Sequence, residues 1–354
     1  MTDLSTSSKR GWRSWPIIRD LRASVGLQRG MLVTGLVLVT VFVLMAAFAP
    51  LIAPYSYNAI SGPDGDFGSR MAPSMAHPFG TTIAGYDVLS RVIWGSRTAF
   101  LVIVIAVLAS IFLGSLLGLV SAYVGGVLDR VLVMIADAIY AFPSLLLAIV
   151  MSIMISGGQS SLWGGIWSAS LSITVVFIPQ YFRVVRSEVI RVKAEAFVES
   201  ARVIGASHRR IMFQHVFRNS TRSLPLVFTL NASEAILTLA GLGFLGFGIE
   251  PNSAAEWGYD LNKAVADVTN GIWWTSLWPG IAIVLVVMGL TLTGESLNDL
   301  SDPRLRLRKR AKAGSGAVSS TSVIAVQQAA ASAAPDAGPS SADNSAIREE
   351  GDRS

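Results

Sequence analysis

The chain has 354 residues, 52% of them apolar and only 14% charged, with a mean hydropathy of +0.54. Soluble domains carry about a quarter charged residues, so this balance excludes one and requires an integral membrane protein. Cysteine is absent, which rules out disulfides, thiolate chemistry and Cys-ligated metal. The net charge of +5 follows membrane topology and needs no nucleic acid to explain it.

Residues 1–30 are polar and basic, and 31–53 read as a retained membrane anchor, too long for a signal-peptide core. Residues 54–75, rich in Pro, Gly, Ser and Asp, read as an irregular external loop. From His77 the chain turns and becomes amphipathic through Val88, Leu89, Val92, Ile93 and Trp94. That pattern predicts an interfacial helix ending near 97 and leading into the next span. A core of spans then occupies 98–300.

The second span, 99–123, carries Ala106, Ser110, Gly114, Gly118 and Ala122 every four residues. Small residues at that spacing let another helix approach closely, either within this chain or from a partner chain. A third span is predicted over 131–155. Asp129, Arg130 and Asp137 lie near its inner end, as a solvated edge or a second cytoplasmic contact. The fourth span covers 165–185.

A basic island, EAFVESARVIGASHRRIMFQHVFRN (195–219), lies within the loop 186–223. Phe197, Ala201 and Ile204 recur at helical spacing, which predicts a short amphipathic helix over 195–204. Gly205 suits the left-handed position that ends a helix, and Ser207 can cap the next. That second helix would turn Ile211, Met212, Val216 and Phe217 to its apolar side. Membrane spans flank this helix–turn–helix on both sides, which argues against DNA binding.

The fifth span, 224–248, contains Glu234. A charged carboxylate at mid-bilayer costs about 2.5–3.5 kcal/mol on insertion scales. Glu234 therefore lines a translocation path or fills a structural hydrogen-bond role. Gly241, Gly243, Gly246 and Gly248 close the span as packing or gating positions. After the sixth span, 277–297, residues 301–354 form a basic and then disordered tail, its basic part suited to anionic lipid headgroups.

Six spans put both termini on one side. With that side cytoplasmic, only Arg70, Arg91, Arg97 and Lys263 of the 28 Lys and Arg fall outside, as the positive-inside rule requires. No Walker-type phosphate loop, nucleophile elbow or paired-His motif is present, and the three histidines fit no metal-ligand spacing. If ATP drives transport, another polypeptide hydrolyses it.

The island resembles the cytoplasmic loop of bacterial ABC importer permeases, whose pattern is Glu-Ala-Ala, three residues, Gly. Here the matching residues are Glu199, Ser200, Ala201 and Gly205. Four further stretches look like the "C" permeases of dipeptide and oligopeptide importers. They are HPFGTTIAGYDVLSRVIWGSR (77–97), AYVGGVLDRVLVMIADAIYAFPSLLLAI (122–149), GLGFLGFGIEP (241–251) and SLNDLSDPRL (296–305). The resemblance covers roughly residues 30–306.

It implies an all-α membrane protein of the type I ABC importer permease fold in a bacterial inner membrane. It further implies a heterodimer with a sister permease, two ATPase subunits that hold ATP and Mg, and an external solute-binding protein. Glu199, Ala201 and Gly205 would then belong to a coupling helix seated on an ATPase, with Arg209 and Arg210 meeting acidic groups. No catalytic residue and no cofactor is expected in this chain. Ser200 replaces a usual Ala, Arg218 a usual Pro and Tyr86 a usual Arg, while Leu239 stands where Glu is common. Nickel chelates, glutathione and short oligosaccharides are alternative cargoes. A non-transporting scaffold that docks an ATPase is the alternative of another class.

Overall fold

The computed structural model describes residues 27–63, 65–156, 162–221 and 223–301. The N-terminal segment, the basic run 304–312 and the tail lie outside these residues. The longest helix, α3 (Val88–Val124), organises the rest. Asp87 caps it by accepting from the Ser90 N–H at 2.7 Å, and Gly125 ends it with φ of 75°. Its 37 residues rise about 55 Å, well beyond a hydrocarbon core of about 30 Å. One end must therefore project from the membrane.

That projecting end is buried under a protein cap. Val88, Val92 and Ile93 are buried, and α3 runs unbroken through residue 97. The sequence predicts a separate interfacial helix here; the structure has one continuous helix whose first turns pack beneath other chain segments. The preceding loop carries a short helix α2 (Ala49–Ile52) and a two-residue hairpin, β1 (Ser61–Gly62) with β2 (Gly65–Asp66).

The small-residue stripe faces α6 (Leu162–Lys193). A Cβ on Gly114 would sit 2.8 Å from the Ile178 carbonyl, and one on Gly118 would press on the Phe182 carbonyl at 2.6 Å. Ser110 donates to the carbonyls of Ala106 and Thr174 at 2.6 and 3.2 Å. Ala106 and Ala122 are buried on the same side. The stripe thus serves packing inside this chain. Its fit leaves Tyr181, Phe177 and Ile173 fully buried at the centre of the bundle.

The third span departs from expectation. Residues 131–155 do not form one helix: α4 (Gly126–Tyr140) and α5 (Ser144–Ser156) meet at 97°. Pro143 drives the residue before it out of the helical region, so the apolar run turns through about a right angle.

The first helix, α1 (Leu27–Ala47), crosses α12 (Trp274–Ser301) at Gly35 and Gly289, where an added Cβ would meet Thr293 and Leu38 within 3 Å. Between them in sequence come α10 (Leu224–Phe244) and α11 (Trp257–Thr269). Five of the described helices are long and apolar enough to span a membrane, or six if the bent pair counts as one.

Candidate coupling and translocation site

Two ends of the bundle are built differently. At one end, the loop before α3 and helix α11 form a polar lid. Arg91 is 1% exposed. Its Nε donates to both carboxylate oxygens of Asp260 at 2.7 and 2.9 Å, and its Nη1 to the Tyr57 carbonyl at 3.0 Å. Arg70 reaches Asp267 at 2.6 Å, and His77 Nδ1 lies 3.0 Å from Asp87. Tyr86 stands beneath the Arg91 guanidinium, 4.9 Å from ring centre to Cζ. Glu256 caps α11 by accepting from the N–H groups of Gly258 and Tyr259. Burial pushes its carboxyl up to about 8 despite those two bonds. Gly243 leaves the room for this carboxylate, since a Cβ there would overlap it.

The opposite end carries the basic island. Helix α7 (Ala196–Val203) starts at Glu195 and is followed by Gly205 with φ of +79°. Ser207 caps the next turn, α8 (His208–Arg210), by accepting from the Arg210 N–H. These boundaries match the local signals. The second helix does not stay α-helical: Ile211–Phe217 is a π-helix, after which α9 (Arg218–Ser220) restores the α spacing. Ile211 and Val216 are both buried and stand five residues apart, the i→i+5 interval of a π-turn. Arg218, where the family pattern has Pro, continues the helix rather than breaking it.

The faces of α7 are reversed in part from the sequence reading. Val198 and Ala201 point into a small core with Leu119, Val185, Val189 and Val192. Phe197 and Ile204, expected to line the same apolar side as Ala201, are exposed at 43% and 84%, and Val203 at 83%. The core selects 198 and 201, three apart, and leaves the other apolar positions outward. Glu199, Gly205, Arg209 and Arg210 are exposed beside them. A Cβ on Gly205 would meet nothing within 4 Å, so it is the backbone conformation and not crowding that demands glycine.

Charge ties α6, the helix that leads into the lobe, to α4 and α3. Asp129 accepts two hydrogen bonds from Arg186, both 2.7 Å, and a third from Ser121 at 2.5 Å. Asp137 pairs with Arg183 at 2.7 Å, while Arg130 stays exposed. Lys193 donates to the Tyr123 carbonyl at 2.8 Å, tying the end of α6 to the end of α3.

Glu234 lies on α10 on the side away from Leu239, which is buried. It lines a cavity of about 180 Å³ at the elbow between α4 and α5, together with Tyr140, Phe142, Ser144, Leu147 and Gln180. None of these partners was legible from spacing, because the elbow brings them there.

A family model described as the inner membrane component of binding-protein-dependent transport systems matches residues 110–307. The chain belongs to this family. A second model, the N-terminal transmembrane domain of oligopeptide transport permease C, matches residues 27–73. This permease is 36% identical over 274 residues to the dipeptide transport system permease protein of Alkalihalophilus pseudofirmus, covering 77% of the chain and 86% of that relative. It is 35% identical to a probable D,D-dipeptide transport system permease protein of Escherichia coli K12, covering 77% and 87%. A glutathione transport system permease protein of Pectobacterium atrosepticum is 31% identical, over 85% and 93%. Its relatives are transport permeases rather than enzymes, and its helical bundle is the type I ABC permease fold. The permease therefore works within an ABC import system, beside ATPase and binding-protein components.

Proposed function

We propose that this permease forms half of the membrane path of an ATP-driven importer for dipeptides and oligopeptides. It pairs with a sister permease and rests on two ATPase subunits, which hold the ATP and Mg. An external binding protein delivers the cargo. Both termini and the basic lobe face the cytoplasm of a bacterial cell, and the lid of α11 faces outward.

The observation that carries this reading is the outward apolar face of the lobe. Phe197, Val203 and Ile204 project around the Gly205 turn with the exposed cations Arg209 and Arg210 alongside. Exposed apolar clusters rimmed by polar groups mark partner surfaces. A groove with acidic edges on an ATPase would cover this one. Closing of the ATPase pair on ATP would draw the lobe sideways. The movement enters α6 directly from the lobe, and the Asp129–Arg186 and Lys193–Tyr123 ties then pass it to α4 and α3. ATP shifts the bundle only by favouring one packed arrangement over the other.

The names of the relatives support a peptide cargo, with glutathione, itself a short peptide, as the second candidate. The test is uptake into vesicles containing the full assembly, with ATP inside and labelled dialanine plus binding protein outside. ATP-dependent accumulation that unlabelled dipeptide suppresses, and glutathione suppresses less, is expected. Uptake of nickel chelates or oligosaccharides alone would replace the cargo. ATPase docking without any solute movement would make the chain a scaffold.

A further inference from the structure

Glu234 is an ionisable side chain set in an apolar span, and among the described residues no hydrogen bond or ion pair reaches its carboxylate. Its backbone carbonyl accepts from Thr238 at 2.9 Å, so only the side chain lacks a partner. Arg183, the cation that covers the Tyr140 wall of the cavity, is already engaged: it pairs with Asp137 at 2.7 Å and stands 4.2 Å over the Tyr140 ring. The cavity therefore holds a carboxyl group that no cation among the described residues engages.

The walls around that carboxyl have a definite chemistry. Phe142 supplies an aromatic face, Tyr140 a ring covered on one face by Arg183, Gln180 an amide and Ser144 a hydroxyl, within about 180 Å³. Carboxylate, amide oxygen, hydroxyl and ring face are all groups that attract a compact cation carrying several N–H donors. An inorganic divalent ion would need further oxygen ligands, and no cluster of acidic or His ligands for one occurs among the described residues. The partial positive charge at the start of α5 is smaller than the full charge of one carboxylate.

The geometry points to the Glu234 cavity as a binding site for a primary ammonium group, namely the protonated amino end of a peptide in transit. The identity of that cargo rests on the peptide reading above; the preference for a cation does not. Glu234 gives the ammonium its counter-charge, Tyr140 and Phe142 shield it, and Gln180 and Ser144 accept its remaining N–H bonds. An acylated amino end, having lost the charge, would not stop there.

The absence of cysteine from this chain allows a direct test in the assembled transporter. Ser144→Cys places one thiol at the rim of the cavity. Its rate of modification is measured with the cationic aminoethyl and the anionic sulfonatoethyl methanethiosulfonates, reading the label on this subunit alone. The expected preference for the cationic reagent, after correction for their intrinsic rates, is about tenfold or more, and adding Glu234→Gln should abolish it. Dialanine should protect the thiol, and N-acetyl-dialanine should not. Equal rates for the two reagents, or a preference unchanged by Glu234→Gln, would overturn the site. A Glu234-dependent preference without dialanine protection would leave the ammonium site standing and remove peptides as its occupant. Glu234→Asp, keeping the charge, should retain most of the preference and controls for misfolding.

Discussion

Arg91 and Asp260 lie 169 residues apart and meet as a buried ion pair, with one guanidinium nitrogen donating to both carboxylate oxygens. The pair joins the N-terminal end of α3 to α11 and fixes the lid over the bundle. Trp257 reinforces the joint by donating from its indole to the Val92 carbonyl at 3.1 Å, and Gly95 leaves room for its ring.

Removing one partner strands the other charge in a dry site. Arg91→Ala is expected to destabilise the lid by about 3–5 kcal/mol. Arg91→Lys should recover only part, because an ammonium lacks the fork that also reaches the Tyr57 carbonyl. Hydrogen exchange at the α11 amides of the purified subunit measures both effects. Unchanged protection in Arg91→Ala would contradict the assignment.

Glu256 makes the same lid sensitive to pH. Its carboxyl is raised from the ordinary 4.5 to about 8 by burial, so the fold favours the protonated form. That contribution is complete below pH 4.5 and is lost as pH rises through about 8. Thermal stability in detergent should therefore fall across this window, and Glu256→Gln, which stays neutral, should flatten the slope. A stability that climbs from about pH 5 to about pH 8 in the wild type and levels in the variant would reverse the sign.

Gly114 stands where α3 meets α6, with Tyr181 Cβ at 2.6 Å and the Ile178 carbonyl at 2.8 Å from any added Cβ. Backbone cannot rotate away as a side chain can. Gly114→Leu should cost about 3 kcal/mol or more, the upper end of the usual range for overpacking, seen as a lower melting temperature and poor membrane yield. Gly126→Ala has open space and loses only through its left-handed backbone, about 1–2 kcal/mol.

Much of the basic lobe was legible from local signals. Glu195, Gly205 and Ser207 mark starts and stops that do not depend on distant contacts. The outward face was less legible, because Phe197, Ala201 and Ile204 fit one helical stripe while Val198 and Ala201 fit another. Only the core formed by Leu119, Val185, Val189 and Val192 decides between them. The elbow at 141–143 was hidden by hydropathy, which stays high across Pro143. Proline alone does not mark a break, since Pro179 and Pro279 lie inside helices that continue. The acids of α11, Asp260 and Asp267, repeat at two helical turns, yet their arginines come from remote segments. The residues around Glu234 were likewise out of reach until the elbow brought Tyr140 and Ser144 beside α10.

Substitution at Gly205 should separate folding from the proposed coupling. Its φ of +79° disfavours any side chain by about 1–2 kcal/mol, confined to an exposed loop. Gly205→Leu should leave the melting temperature of the subunit within a few degrees and yet stop ATP-driven uptake, while ATP hydrolysis by the assembly continues. Uptake coupled as in the wild type would show that the lobe does not transmit the stroke.

Contact between the lobe and an ATPase is the claim most directly open to measurement. Ile204→Cys introduces the only thiol of this chain at its most exposed apolar point on the lobe. In the assembled transporter, a short thiol-to-amine cross-linker should join position 204 to an ATPase subunit in high yield, and Glu234→Cys should give no such product. Failure of position 204 to cross-link in an assembly that still imports cargo would contradict the account.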